Sequence, residues 1–278
     1  MKSLFATMAL AAVTQASQDV CRALVMSGGG SNGAWEAGVL WGLVNYGTAS
    51  DYAYDVVSGV SAGSMNTAAF AGWEIGTEKA FADYLSDKYR NLKTSDIWVD
   101  WRFGKVQGLT RKAGAVDNSP LLAWLTEVVQ EYTEVKRRFT IASTNVGTGE
   151  YTEFTQKDLT MDDIPKAATA SASIPGFFAP FQWEGKGVFM DGMTAYNINV
   201  EGAIKQCREL VDDDSKIIID VFMCNAPEEP EAWDKKAHTS WSNFWRYREL
   251  HGYYRGSDSI ASSLAAHPTM QWRHIVKQ

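Results

Sequence analysis

The chain has 278 residues, 45% of them hydrophobic and 21% charged, and a formal net charge of −7. That composition excludes intrinsic disorder and supplies enough apolar material for one large domain. With no long basic run, it disfavours a nucleic-acid partner and a strong electrostatic pull toward anionic membranes.

The N-terminus reads as a secretory leader. Lys2 is followed by an apolar run over residues 4–13, and Thr14 and Ala16 supply small residues before a cleavage point after Ala16. Residues 1–16 are then a signal peptide and 17–278 a single domain. The run is shorter than the roughly 20 residues that span a bilayer, and no later segment reads as transmembrane. Cys21, Cys207 and Cys224 allow at most one internal disulfide in an oxidising compartment. Their spacing fits no zinc site.

In chain order, residues 22–28 form a short apolar run ending in glycine, the pattern of a buried strand. From Gly33, the apolar residues Trp35, Val39, Leu40 and Leu43 recur at helical spacing, and Gly47 suits the end of that helix. Residues 54–60 read as a second strand and 61–73 as a small-residue helix. Two such strand–helix units predict a parallel sheet covered on both faces. Residues 77–92 form an amphipathic helix, followed by an irregular stretch with Trp98, Trp101 and Phe103. A helix over 119–132 opens with a serine cap and Pro120. Residues 138–155 read as two strands around a Gly-Thr-Gly turn. Residues 163–181 are a small-residue helix stopped by Pro175 and Gly176. A strand over 186–200 runs into a tight loop, and 215–223 is a strong buried strand. The aromatic-rich tail ends in polar, helix-like sequence.

Gly59-Val60-Ser61-Ala62-Gly63 is a Gly-x-Ser-x-Gly pentad between a buried strand and a small-residue helix. That context places Ser61 on a sharp turn, with Gly59 and Gly63 letting it close, as a candidate nucleophile. Its base could be one of His238, His251, His267 and His274, oriented by an acid. It could instead be a carboxylate, for which Asp191, followed by Gly192, is the candidate. A free aspartate is a poor base, and burial beside Ser61 would raise its proton affinity.

The glycine run invites two readings. Gly28-x-Gly30-x-x-Gly33 matches a dinucleotide fingerprint, but that requires an acidic residue at the end of the second strand, and Asp51 and Asp55 lie before it and at its start. No Gly-Lys-Ser/Thr follows, which excludes a phosphate-binding Walker loop. The alternative uses Gly28, Gly29 and Gly30 as an oxyanion hole, with the Gly29 and Gly30 amides donating at the mouth of a helix.

Taken together, these segments resemble the patatin-like phospholipases over residues 22–222. The glycine run with Asn32 and Gly33, the Ser61 pentad, the small-residue block ending "ASASIPGFFAPF" and the "DGMTAYNINV" block stand in the family's order. The resemblance implies a three-layer α/β/α sandwich with a mostly parallel central sheet and a Ser61–Asp191 dyad. It also implies hydrolysis of fatty-acyl esters of a lipid or membrane-surface substrate, without metal or other cofactor, and leaves the histidines as bystanders. Trp98, Trp101 and Phe103, and Trp241, Phe244 and Trp245, are then candidates for touching a lipid interface. Two positions depart from the family pattern: Asn32 stands where a basic residue is usual, and Ser27 where an aspartate is frequent. The competing classes are a non-catalytic secreted binding or storage protein and a His-dependent carboxylesterase. The leader predicts secretion, or delivery to the lumen of the secretory or endolysosomal pathway.

Overall fold

The computed structural model describes residues 19–224 and 239–278, apart from some side chains between 240 and 255. The predicted leader therefore lies outside the described residues, as do His238 and the side chains of Trp241, Phe244, Trp245 and His251.

The strands are β1 (Cys21–Met26), β2 (Val56–Val60), β3 (Arg138–Asn145), β4 (Tyr151–Thr155), β5 (Phe181–Trp183), β6 (Gly187–Asp191), β7 (Ile217–Met223) and β8 (Gln271–Lys277). They form one mixed sheet. The neighbours β3, β2, β1, β7 and β8 run parallel, while β4 and β6 pair antiparallel with β3 and β5 pairs antiparallel with β6. The parallel core agrees with the two strand–helix units in the sequence, and the antiparallel members come from the later hairpins.

The helices are α1 (Gly33–Tyr46), α2 (Ala62–Phe70), α3 (Glu78–Asn91), α4 (Thr94–Ile97), α5 (Gly104–Arg111), α6 (Ser119–Val129), α7 (Ile164–Ser171), α8 (Val200–Cys207) and α9 (Ser240–Ala266). Strand alternation sorts the core into two layers. Leu24 and Met26 of β1 face a cluster with Leu40 of α1, Phe70 of α2, Leu85 of α3 and Leu125 of α6. Ala23 and Val25 face the opposite cluster, with Ile204 of α8 and Ile260 of α9. Helices thus cover both faces, giving the α/β/α sandwich. A disulfide between Cys21 and Cys207 fastens β1 to α8, and Cys224 is free and buried. Closing so long a loop stabilises the fold by about 2–5 kcal/mol.

The tail corrects one expectation. Residues 271–277 form a parallel strand beside β7 rather than helix. Asp220, fully buried in β7, accepts from Tyr54 Oη at 2.7 Å and from Arg273 Nε of β8 at 3.0 Å. A buried carboxylate needs a cation, so the strand carries a charge where an apolar residue would have revealed its period. The stretch 97–120, read as irregular, contains α5, and α4 ends at its first residue.

Candidate active site

Register explains how two distant segments meet. β2 pairs with β3 up to Val60 opposite Ala142, and β6 pairs with β3 from Phe189 opposite Asn145 down to Asp191 opposite Ser143. β4 occupies the other edge of β3 over the same residues. So β2 and β6 approach from opposite directions along one edge, and their ends abut. The next residue of β2's chain is Ser61.

Ser61 sits on a strained turn at φ 52°, ψ −118°, and no other described non-glycine residue has a positive φ. Such strain persists only where surrounding structure enforces it. Here the chain reverses so tightly that a Cβ on Gly59 would lie 2.1 Å from the Gly63 carbonyl oxygen. The Ser61 amide donates to Ser171 Oγ at 2.8 Å, and that hydroxyl donates to the Ala142 carbonyl at 2.6 Å. The hydroxyl of Ser171 therefore stands where the next rung of the β2–β3 ladder would have been. Two residues on, the Ser173 carbonyl accepts from the Asp191 amide at 2.9 Å. The end of α7 thus fixes both halves of the site. Sequence reading flagged this small-residue block but assigned Ser171 and Ser173 no role.

Ser61 Oγ donates to Asp191 Oδ2 at 2.6 Å, and Asp191 Oδ1 accepts from the Met193 amide at 2.9 Å. The carboxylate is completely buried. The backbone holds it in one orientation while one oxygen faces the hydroxyl. The two histidines with described side chains bond elsewhere: His267 with Glu201 at 3.0 Å, while His274 stacks on Tyr52.

The glycine run is divided in its roles, which corrects one expectation. The Gly28 amide donates to the Asn197 carbonyl at 3.0 Å, so Gly28 anchors the loop and is not a free oxyanion donor. The amides of Gly29, Gly30 and Ala62 donate to no acceptor among the described residues. Gly30 has φ +60°, and a Cβ there would meet nothing within 4 Å, so this position opens onto space. Ala62, the first residue of α2, was not singled out from sequence. Asn32 Nδ2 donates to the Cys224 carbonyl at 2.8 Å, so this departure from the family pattern ties the loop to the end of β7.

Beneath the loop lies a buried polar cluster. Asn66 of α2 donates to the Gly33 carbonyl and to Glu36 of α1, at 3.1 and 3.0 Å, and accepts from Tyr89 Oη at 2.7 Å. Burial pushes the Glu36 carboxyl well above the ordinary value near 4.5, and it pushes the Cys224 thiol up as well. Cys224 is thus a packed thiol rather than a reactive thiolate.

Ser61, Gly30 and Ala62 open onto a pocket of about 370 Å³. Its walls are mainly apolar, including Met65, Leu92, Ile97, Trp98, Leu121 and Phe177, and among the described residues Lys93 is the only charged one of the lining. Trp98 sits edge-on to Phe177, and Trp101 donates Nε1–H to the Gly114 carbonyl. Both indoles are half-buried, whereas Phe103 is 72% exposed. Gly33, Gly63 and Gly192 lie at close approaches of the backbone around this site. Among the described residues, no helix is long and apolar enough to cross a membrane, and no group of His, Cys, Asp or Glu side chains could hold a metal ion.

The strained Ser61 turn, buried carboxylate and glycine loop accompany a match to the family model of the patatin-like phospholipases over residues 24–204. The chain belongs to that family. Among solved structures it is similar to VipD from Legionella pneumophila, at 14% identity and a TM-score of 0.42, covering 77% of this chain and 51% of that one. It is also similar to the heterodimeric ExoU–SpcU complex from the type III secretion system of Pseudomonas aeruginosa, at 15% identity and a TM-score of 0.37, covering 90% of this chain and 53% of that one. The chain thus spans about half the length of each. No curated protein matches it.

Proposed function

We propose that the chain is a serine lipid acyl hydrolase that releases fatty acid from phospholipid or other glycerolipid esters with Ser61 as nucleophile and Asp191 as base. The observation that carries this reading is the 2.6 Å hydrogen bond from Ser61 Oγ to the buried Asp191 carboxylate, at the floor of an apolar pocket.

Asp191 accepts the Ser61 proton while Oγ attacks the acyl carbonyl. The amides of Gly29, Gly30 and Ala62 are available for the oxyanion of the tetrahedral intermediate, and α2 begins at Ala62 with its positive dipole end toward Ser61. Collapse passes the proton from Asp191 to the leaving alcohol and leaves an acyl ester on Ser61. The same carboxylate then takes a proton from water, whose oxygen attacks the ester, and the returning proton regenerates Ser61. Apolar walls suit an acyl chain, and the donation of the Ser61 hydroxyl to a buried carboxylate favours this route over a His-dependent one.

The predicted leader and the Cys21–Cys207 disulfide both support an extracellular or lumenal location. The functional test is fatty-acid release from a panel of phospholipids and neutral glycerides by wild type, Ser61→Ala and Asp191→Asn. Loss of release in both variants is expected. Wild-type turnover by either variant, or no turnover of any ester by wild type, refutes the reading.

A further inference from the structure

The segment that crosses from α4 to the end of α5 has an unusual surface. Val99, Phe103, Val106 and Leu109 are 40%, 72%, 74% and 64% exposed. Large apolar side chains gathered on one face of a soluble domain mark a contact surface. The other face of α5 is committed to the body of the protein. Gly108 packs so closely that a Cβ there would lie 2.2 Å from the Ala115 carbonyl oxygen, which turns Val106 and Leu109 outward.

Charge surrounds these apolar residues. Arg102, Lys105, Arg111 and Lys112 are all exposed, with Asp100 the only acidic residue from 98 to 112. The whole chain carries −7, so this cationic cluster runs against the average and against the expectation drawn from net charge. Lys105 Nζ lies 5.8 Å from the centre of the Trp98 ring, and Lys112 Nζ lies 4.7 Å from that of Trp101. Trp98 also lines the pocket that holds Ser61. The face therefore borders the mouth of the pocket.

We propose that residues 99–112 are a docking face for an anionic lipid surface, with Phe103, Val106 and Leu109 entering the interface and the four cations contacting acidic head groups. This rests on the reading of the chain as a lipid hydrolase. An amphipathic segment with apolar residues flanked by Lys and Arg lies in the plane of a bilayer. Each cation near an acidic leaflet strengthens binding by about fivefold, and added salt screens it. Docked this way, the enzyme turns the Trp98 side of the pocket toward its substrate.

The test uses the full chain and vesicles of non-hydrolysable ether-linked phosphatidylcholine, with and without ether-linked phosphatidylglycerol. Wild type partitions at least about tenfold more onto the anionic vesicles, and salt reduces the difference. The triple variant Phe103→Ser, Val106→Ser, Leu109→Ser loses binding by about tenfold or more. The reversal Lys105→Glu, Arg111→Glu, Lys112→Glu loses the preference for phosphatidylglycerol, and it tests the proposal independently of the apolar substitutions. Both variants keep wild-type hydrolysis of a short-chain p-nitrophenyl ester in solution. Unchanged vesicle binding in both variants, or no preference for anionic vesicles in wild type, overturns the proposal. So does a wild-type dimer in light scattering that the apolar variant dissociates, because a second copy then covers the face. Vesicle binding in the expected pattern, with no ester hydrolysed, would instead refute the hydrolase reading and leave the docking face standing.

Discussion

Val60 and Asp191 occupy consecutive positions along one edge of β3, opposite Ala142 and Ser143, at the ends of two strands that approach from opposite directions. This abutment brings residue 61 within hydrogen-bond reach of a carboxylate 130 positions away. The distance is fixed by ladder register, not by a flexible loop. Asp191→Asn retains the shape and removes the carboxylate proposed as base. It lowers kcat for lipid ester hydrolysis by at least about a hundredfold while KM stays close to wild type. Steady-state kinetics on a soluble ester measure both terms.

Ser171 holds the turn that presents Ser61. Its hydroxyl links the Ser61 amide to the Ala142 carbonyl, and both are enclosed by the protein. Ser171→Ala leaves a buried donor and a buried acceptor without this partner, at a cost of about 2 kcal/mol in stability. The strained φ of Ser61 then loses one of its restraints, so kcat falls further than KM rises. Urea unfolding and kinetics on the same variant check the two effects.

Among the described residues Lys93 is the only charge lining the pocket, while Asn32 bonds the backbone of Cys224. An anionic head group at the mouth would therefore find its cation on α4's side of the pocket rather than in the glycine loop. Lys93→Met lowers kcat/KM on a phospholipid by about fivefold and leaves a neutral diacylglycerol ester within twofold, about the effect of one exposed ion pair. Equal effects on both substrates would remove Lys93 from head-group recognition.

Glu36 gives the fold a pH dependence of defined sign. Desolvation raises its native carboxyl well above 4.5, outweighing hydrogen bonds that lower it. Above about pH 4.5 the unfolded chain ionises this group while the native state keeps its proton, so the native state binds more protons and stability falls as pH rises. The loss continues until the native carboxyl itself ionises. Glu36→Gln removes this linkage. Its stability relative to wild type improves by up to about 1.4 kcal/mol per pH unit across that window. Denaturant unfolding of both proteins at about pH 5 and about pH 8 reads the difference.

Much of the site was legible because its chemistry depends on local sequence. The Ser61 turn needs Gly59 and Gly63 within a few residues, and the open Gly30 position needs a positive φ. Both leave marks in a short window. Gly28 was harder, because its amide is occupied by a carbonyl from residue 197. Ser171 was invisible as a site residue because its role arises where β2 stops and β3 continues, which is a matter of register between distant strands. β8 was hidden for an electrostatic reason. Arg273 interrupts its apolar pattern to neutralise Asp220, a demand set by β7 and absent from the tail's own sequence. The apolar face of α5 was partly anticipated. Trp98 and Trp101 turn inward to the pocket and to Gly114, and the exposed residues are Phe103 and its helical neighbours.

The most direct measurement of the central claim is covalent trapping. Treating the folded protein with a fluorophosphonate and mapping the adduct by peptide mass spectrometry should place one label on Ser61. Labelling should match the loss of fatty-acid release in stoichiometry, and it should be slowed at least about a hundredfold by Asp191→Asn. An adduct on another serine with Ser61 unmodified, or full hydrolytic activity after complete labelling of Ser61, would contradict the account.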